Sequence, residues 1–343
     1  MSKSEKPLLI AAPYPQKYGR LFFGELEERL KSIVRILQLG DEKQIDEEAL
    51  DRALPEAVAL IGQVPMPPER LARAGNLKAI FNVEGNFYQN IDYSACFQRG
   101  IHVLNCGKAY AQPVAEMALG LAIDLARGIS REDRRFRAGG ERYLGASCLD
   151  SVLLSGSDVG LIGFGNLGRA LLKLLYPFHC RVRIFDPWIP DSVVREWQAE
   201  PASLDELLSS ARFIFVLAGV TRENQGFLNR EKLELIAKGA FFLLISRAAV
   251  VDFEALLDAV EQGRFSAATD VFPEEPMPKS HRVRSMENMI LSPHRAGGIP
   301  QAFQRIGEMV VDDLELILRG LPPVRMQTAQ RETVTRFASR PAR

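Results

Sequence analysis

The chain has 343 residues, 47% of them apolar and 25% charged, which is the balance of a globular protein long enough for two domains. Lysine plus arginine and aspartate plus glutamate both number 43, so the net charge is zero. That balance leaves no electrostatic footprint for nucleic acid or for an anionic membrane surface.

Four cysteines (Cys96, Cys106, Cys148 and Cys180) are scattered without a C-x-x-C pair. Neither a zinc site nor a disulfide framework is expected from them, and reduced thiols in a cytoplasmic protein fit the spacing. The start, "MSKSEKPLLIAAP", has too short an apolar part for a signal peptide. "MALGLAIDLA" is too short to span a bilayer and is interrupted by Asp124.

Over the first hundred residues short apolar runs alternate with helical patterns. "PLLIAA", "AVALIG" and "LKAIFNV" read as buried strands, and "EEALDRAL" and "PERLARA" as helices. This is a βαβ rhythm without a glycine-rich phosphate loop, and it predicts a small parallel sheet. A helix is expected from Pro113 to about Arg127, apolar nearly all round and therefore buried. Residues 128–154 read as a connector or an oligomer arm.

From Val159 the rhythm is regular. Strand "VGLI" precedes helix "NLGRALLKLL", with Leu167, Leu171, Leu174 and Leu175 expected on its buried face. Strand "VRIFD" follows, then a helix opened by a capping box, Ser203 at the N-cap and Glu206 three residues on. Strand "FIFVLA", helix "REKLELIAKG", strand "AFFLLIS" and a helix capped by Asp252 and ended by Gly263 come next. Strands "AATDVF" and "MILSPH" complete a doubly wound parallel sheet of the Rossmann kind. The last helix, "AFQRIGEMVVDDLELILRG", should return to the first domain. The expected organisation is a substrate domain of residues 1–112 and 300–325, a dinucleotide domain of 113–299 with an arm near 128–154, and a flexible basic tail of 326–343.

"GLIGFGNLG" carries G-x-G-x-x-G at Gly163, Gly165 and Gly168, after a strand and before a helix. In that context the glycines permit a tight turn, close approach of a pyrophosphate and tight helix packing, with the helix N-terminus facing the negative charge. Asp186 ends the second strand, where an acid should meet the adenosine ribose hydroxyls. A carboxylate there repels a 2′-phosphate, and "PWIPDS" offers no cation to bind one, so NAD is expected over NADP.

The last strands end in three polar features: Arg247 in "LLISRAAVVD", Asp270 and Glu275 in "ATDVFPEEP", and His294 in "LSPHRAGG". Together they suit reduction of a 2-oxo acid. An arginine grips a carboxylate and polarises the carbonyl, a histidine exchanges the proton, and a glutamate orients the imidazole and favours its charged form. Ala296 and Gly297 are small enough to let a nicotinamide approach.

"GLIGFGNLGRAL", "FDPW", "SRAAVVDFEAL", "DVFPEEPMP" and "LSPHRAGG" resemble, in order and spacing, the motifs of the D-isomer-specific 2-hydroxyacid dehydrogenases. The resemblance implies a Rossmann domain beside a smaller flavodoxin-like α/β domain built from both chain ends. It implies Arg247 as carboxylate anchor, His294 as acid/base and Glu275 as its partner. Cofactor contacts would come from Gly163, Gly165, Asn166, Leu167, Gly168, Asp186, Thr221, Ser246, Asp270 and Gly297, with Asp270 on the nicotinamide side. A substrate loop of Glu84, Gly85 and Asn86, contacting substrate through backbone N–H groups near Glu84 and Gly85, and a homodimer are implied as well.

The substrate loop departs from that family's pattern. In "EGNFYQNID", Phe87 stands for a second glycine and Gln89 for an aspartate; Ala248 replaces the glycine after the arginine. Phe87 and Tyr88 either shape an unusual pocket or pack the loop. Two further readings fit the same residues. One is oxidation of another small acid such as phosphite or formate, although formate enzymes of this kind carry glutamine at the position of Glu275. The other is a corepressor-like protein that senses NAD(H) without turnover.

Overall fold

The computed structural model describes residues 6–143 and 149–338. The first elements in the chain are β1 (Leu8–Ala11), α1 (Tyr18–Leu21), α2 (Gly24–Ile33), β2 (Arg35–Gln38), α3 (Glu47–Ala53), β3 (Ala57–Ile61), α4 (Pro68–Arg73), β4 (Ala79–Asn82), α5 (Tyr93–Arg99) and β5 (His102–Asn105). Then come α6 (Gly107–Arg127), α7 (Ile129–Arg137), β6 (Asp158–Ile162), α8 (Asn166–Leu175), β7 (Arg181–Phe185), α9 (Asp191–Glu196), β8 (Glu200–Pro201), α10 (Leu204–Ser210) and β9 (Phe213–Val216). The chain closes with α11 (Arg230–Glu234), β10 (Phe241–Leu244), α12 (Phe253–Glu261), β11 (Ser266–Thr269), β12 (Met289–Leu291), α13 (Pro300–Leu318) and β13 (Gln327–Thr328).

The chain divides into two compact units, one running to Tyr110 and resuming at Ile299, the other Ala111–Gly298. In the first, the sheet order is β13-β5-β4-β3-β1-β2, with β13 antiparallel to β5 and the other pairs parallel. Without β13 this is the flavodoxin-like order. Successive residues of its strands feed two apolar cores. Leu9, Ala59 and Phe81 meet Ile306, Val310 and Leu314 of α13 on one face. Leu8, Leu60 and Ile80 meet Leu50, Leu71 and Cys96 on the other. Covering on both faces explains why these strands are continuous apolar runs.

The second unit has the order β12-β11-β10-β9-β6-β7-β8. Counted within the unit this is a doubly wound sheet whose order reverses between β6 and β9, its first and fourth strands. Ser203 and Asp252 cap α10 and α12 by accepting from Glu206 N and Ala255 N.

Several expectations change. The buried stripe of α8 is Gly168, Leu171, Leu172 and Leu175 rather than one including Leu167 and Leu174. That stripe is the true three-and-four spacing of a helix face. Helix α6 begins at Gly107, whose N–H donates to Asn105 Oδ1 at 2.9 Å, and Pro113 lies inside it. It buries a stripe of Val114, Ala115, Ala118 and Ala122, whereas Glu116 and Gly120 are exposed. The helix before β10 stops at Glu234, well short of Gly239.

The charged start of the expected arm is α7, and residues 144–148 of that arm, with Cys148, lie outside the described residues. The expected flexible tail is, as far as Ala338, packed structure. Asp313 in α13 accepts the N–H groups of Val324, Arg325 and Met326 at 2.8–2.9 Å, which turns the chain onto the free edge of β5. Val334 is then buried in the core. Its basic composition concealed how few apolar residues such a strap needs.

Candidate active site

The turn after β6 is built for glycine. Gly163 has φ +97°, and a Cβ there would stand 2.7 Å from Ala218 N, at the junction of β6 and β9. A Cβ on Gly168 would lie 2.5 Å from Gly163 O. Gly165 is different: a Cβ would meet nothing within 4 Å. Nothing described in the protein requires glycine there, so the open space in front of α8 fits a close phosphate at a helix N-terminus. Asn166 and Leu167 form the first turn of that helix, both half-buried.

Asp186 lies just after β7 and faces the same turn. Its Oδ2 accepts from Phe164 N at 2.7 Å and its Oδ1 from Trp188 N at 2.9 Å. A carboxylate can accept about four hydrogen bonds, so capacity for ribose hydroxyls remains. Thr221, after β9, is buried, and its N–H donates to Asn224 Oδ1 at 2.8 Å. Ser246, after β10, is buried with its Oγ unpartnered among the described residues, an orphan that a polar ligand group can satisfy. These residues follow one carboxyl edge of the sheet in strand order and fit a dinucleotide.

Strands β10, β11 and β12 are adjacent at the end of that sheet, and the loops that follow them carry Arg247, Glu275 and His294. His294 Nδ1 and Glu275 Oε2 are 2.6 Å apart. Glu275 Oε1 accepts from Phe272 N at 2.9 Å, which fixes the carboxylate plane. Burial pushes the Glu275 carboxyl up, but the His294 hydrogen bond, the Phe272 N–H and the charges of His294 and Arg247 outweigh it and hold it below the usual range. The Arg247 guanidinium donates to Ser246 O at 2.7 Å. The His294 and Glu275 side chains remain 44% and 37% exposed, so a small molecule can reach them.

His294 sits at φ +49°, a conformation rare for a side-chain-bearing residue. Asp270, 1% exposed, explains how the turn is held. It accepts from Ser292 Oγ at 2.5 Å, Arg295 N at 3.0 Å and Ala296 N at 2.9 Å. Its oxygens thus grip the histidine loop. Gly297, half-buried, follows the buried Ala296.

In the other unit, Glu84, Gly85 and Asn86 follow β4. The Glu84 N–H, expected to face substrate, instead donates to Asn82 Oδ1 at 2.9 Å, and Asn82 Nδ2 donates to Asn86 O at 2.8 Å. The Glu84 carboxylate accepts from the Tyr88 hydroxyl. Phe87 and Tyr88 are both buried, and Phe87 packs edge-on to Tyr93, so the open question about them resolves toward packing of the loop.

Residues 119–296 match the family model described as "D-isomer specific 2-hydroxyacid dehydrogenase, NAD binding domain". A glyoxylate reductase of Pyrococcus horikoshii is 31% identical over 83% of this chain and 87% of its own. A D-3-phosphoglycerate dehydrogenase of Methanocaldococcus jannaschii is 30% identical over 73% of this chain and 47% of its own. The crystal structure of a phosphoglycerate oxidoreductase from Rhizobium etli is 45% identical, covers 96% of this chain and all of that one, and superposes with a TM-score of 0.84.

The chain belongs to the D-isomer-specific 2-hydroxyacid dehydrogenases. It is an NAD-dependent enzyme, in agreement with the cofactor expected from the sequence. Among the described residues no helix of this dehydrogenase is long and apolar enough to cross a membrane, and no group of three or more potential ligands could hold a metal ion. Sequence reasoning missed Asn82 and Ser292. A polar residue at a strand end carries no signal of its own, although Ser292 stands two residues before the histidine.

Proposed function

We propose that the dehydrogenase interconverts a small D-2-hydroxy acid and its 2-oxo acid, with Arg247 as carboxylate anchor and His294 as acid/base assisted by Glu275. The 2.6 Å contact between His294 Nδ1 and Glu275, on the same sheet edge as the dinucleotide turn, carries the reading. NAD supplies or receives the hydride at the substrate's C2 when bound. In reduction, His294 gives its proton from Nε2, because Nδ1 is engaged by Glu275, and the carbonyl oxygen becomes the hydroxyl. Arg247 holds the carboxylate and draws electron density from the carbonyl.

The test is a panel of 2-oxo acids, glyoxylate and hydroxypyruvate among them, with NADH or NADPH, followed by nicotinamide absorbance. NADH should be favoured over NADPH by about 10²-fold in kcat/KM, because Asp186 opposes a 2′-phosphate. Asp186→Ala should narrow that ratio; comparable efficiency of the two cofactors in the wild type would remove the assignment of Asp186. Binding of NADH without turnover across the panel would favour a sensor.

The depressed Glu275 carboxyl gives a pH prediction. Its contribution to stability is present above the ordinary value of 4.5 and is lost as pH falls through the lower folded value. Glu275→Gln should therefore melt below the wild type at neutral pH, and the gap should close in acid. A gap independent of pH refutes the ionised pair.

Homodimerisation and a cytoplasmic location belong to the same proposal. Ile129, Phe136, Leu149 and Leu153, on the segment expected to be an arm, are more than half exposed in the isolated chain, which suits a second copy. Cys96 and Cys106 are free and buried, which suits a reducing compartment. Sedimentation as a single chain at micromolar concentration would remove the dimer.

A further inference from the structure

Residues 327–337 run from the edge of the first sheet to the loop after β4. Gln327 and Thr328 pair with Asn105 and Leu104, and Ala329 N donates to Val103 O at 2.9 Å. Arg331 lies 5.2 Å from the centre of the Phe97 ring and donates to Phe97 O. Val334 enters the core that holds Phe87, Ile91 and Tyr93. Phe337 then packs on Phe87, ring centres 6.1 Å apart. Gln89 Nε2 donates to both Val334 O and Phe337 O, at 3.0 and 3.1 Å.

Phe87 and Gln89 are the two positions at which the loop departs from the family's pattern, and both side chains meet this segment. A glycine and an aspartate at these positions would leave the Phe337 ring without its aromatic partner and the two carbonyls without an amide donor. Each contact explains the other, because a loop residue and a segment more than two hundred residues away are matched in shape and in hydrogen bonding.

We propose that residues 327–337 are a positioning brace for the loop 84–92, and that Phe337 and Gln89, which need not touch substrate, set how firmly the 2-oxo acid is held. The proposal rests on the reading of Glu84–Asn86 as a substrate loop. A braced loop has its ordering entropy removed before the ligand arrives, so the brace lowers KM more than it raises kcat.

The test uses full-length Phe337→Ala, Phe337→Leu and Gln89→Ala, together with a chain ending at Val334, with hydrogen exchange of the 84–92 peptide and steady-state kinetics measured on each. Phe337→Ala and Gln89→Ala should speed exchange of that peptide about tenfold and raise KM for the oxo acid about tenfold, with kcat and NADH affinity within about twofold. Phe337→Leu, which keeps an apolar contact, should recover part of both. If the shortened chain does not fold, the single substitutions still decide. Unchanged exchange in folded Phe337→Ala overturns the brace. Faster exchange with an unchanged KM leaves the mechanical brace standing but overturns its role in substrate binding, and with it the substrate reading of the loop. Hydrogen exchange remains readable even if no panel acid turns over, so failure of the proposed reaction is seen separately.

Discussion

His294→Ala should reduce its 2-oxo acid about 10³-fold more slowly than the wild type, with NADH affinity within about twofold. The asymmetry follows from where the side chain is held. His294 is tied through Nδ1 to Glu275, while the dinucleotide turn, Asp186 and Thr221 belong to other strand ends of the sheet. Removing the imidazole takes away the proton donor and leaves those contacts intact. The loop itself should persist, because Asp270 holds it through Arg295 N, Ala296 N and Ser292 Oγ rather than through the histidine ring. Glu275 loses a charged neighbour but keeps the Phe272 N–H. Stopped-flow hydride transfer and NADH fluorescence titration separate the two effects. A large loss of NADH affinity would show that His294 holds the cofactor and would remove its acid/base role.

The second unit was legible in the sequence because its central strands are buried on both faces. Runs such as "FIFV" and "FFLL" have no other comfortable place; the end of the second locates Arg247, and the next two strands, β11 and β12, lead to Glu275 and His294. Hydrophobic periodicity records which face an element buries. It does not record which distant carboxylate accepts an N–H. That is why neither the grip of Asp270 on the His294 turn nor the bond from Glu84 N–H to Asn82 was legible. Strand β2, "RILQ", escaped notice because it is an edge strand with no fully buried residue. The segment after α13 looked like a tail because its order depends on three N–H bonds to Asp313, a residue that periodicity reads as ordinary helix surface. Phe87 and Gln89 were visible as departures, but their partners lie in a segment that composition alone called loose.

Arg247→Ala should lower kcat/KM about 10³-fold, through both a higher KM and a lower kcat. A carboxylate anchor that only bound substrate would change KM alone, because uniform binding favours ground state and transition state equally. Arg247 has a second reach: its charge acts on Glu275, the partner of His294. In the proposed reaction it also faces the negative charge that develops on the substrate oxygen during reduction. Its removal therefore weakens the polarisation of the carbonyl together with the electrostatic setting of the acid/base pair. Arg247→Lys should recover less than about a tenth of the lost efficiency, because an ammonium keeps the charge but not the planar fork that meets a carboxylate with two bonds. Added guanidinium should partly restore Arg247→Ala and leave His294→Ala unchanged. Full activity in Arg247→Lys would show that charge suffices and the fork does not matter. A rise in KM at constant kcat in Arg247→Ala would confine the residue to binding and leave polarisation of the carbonyl to another group.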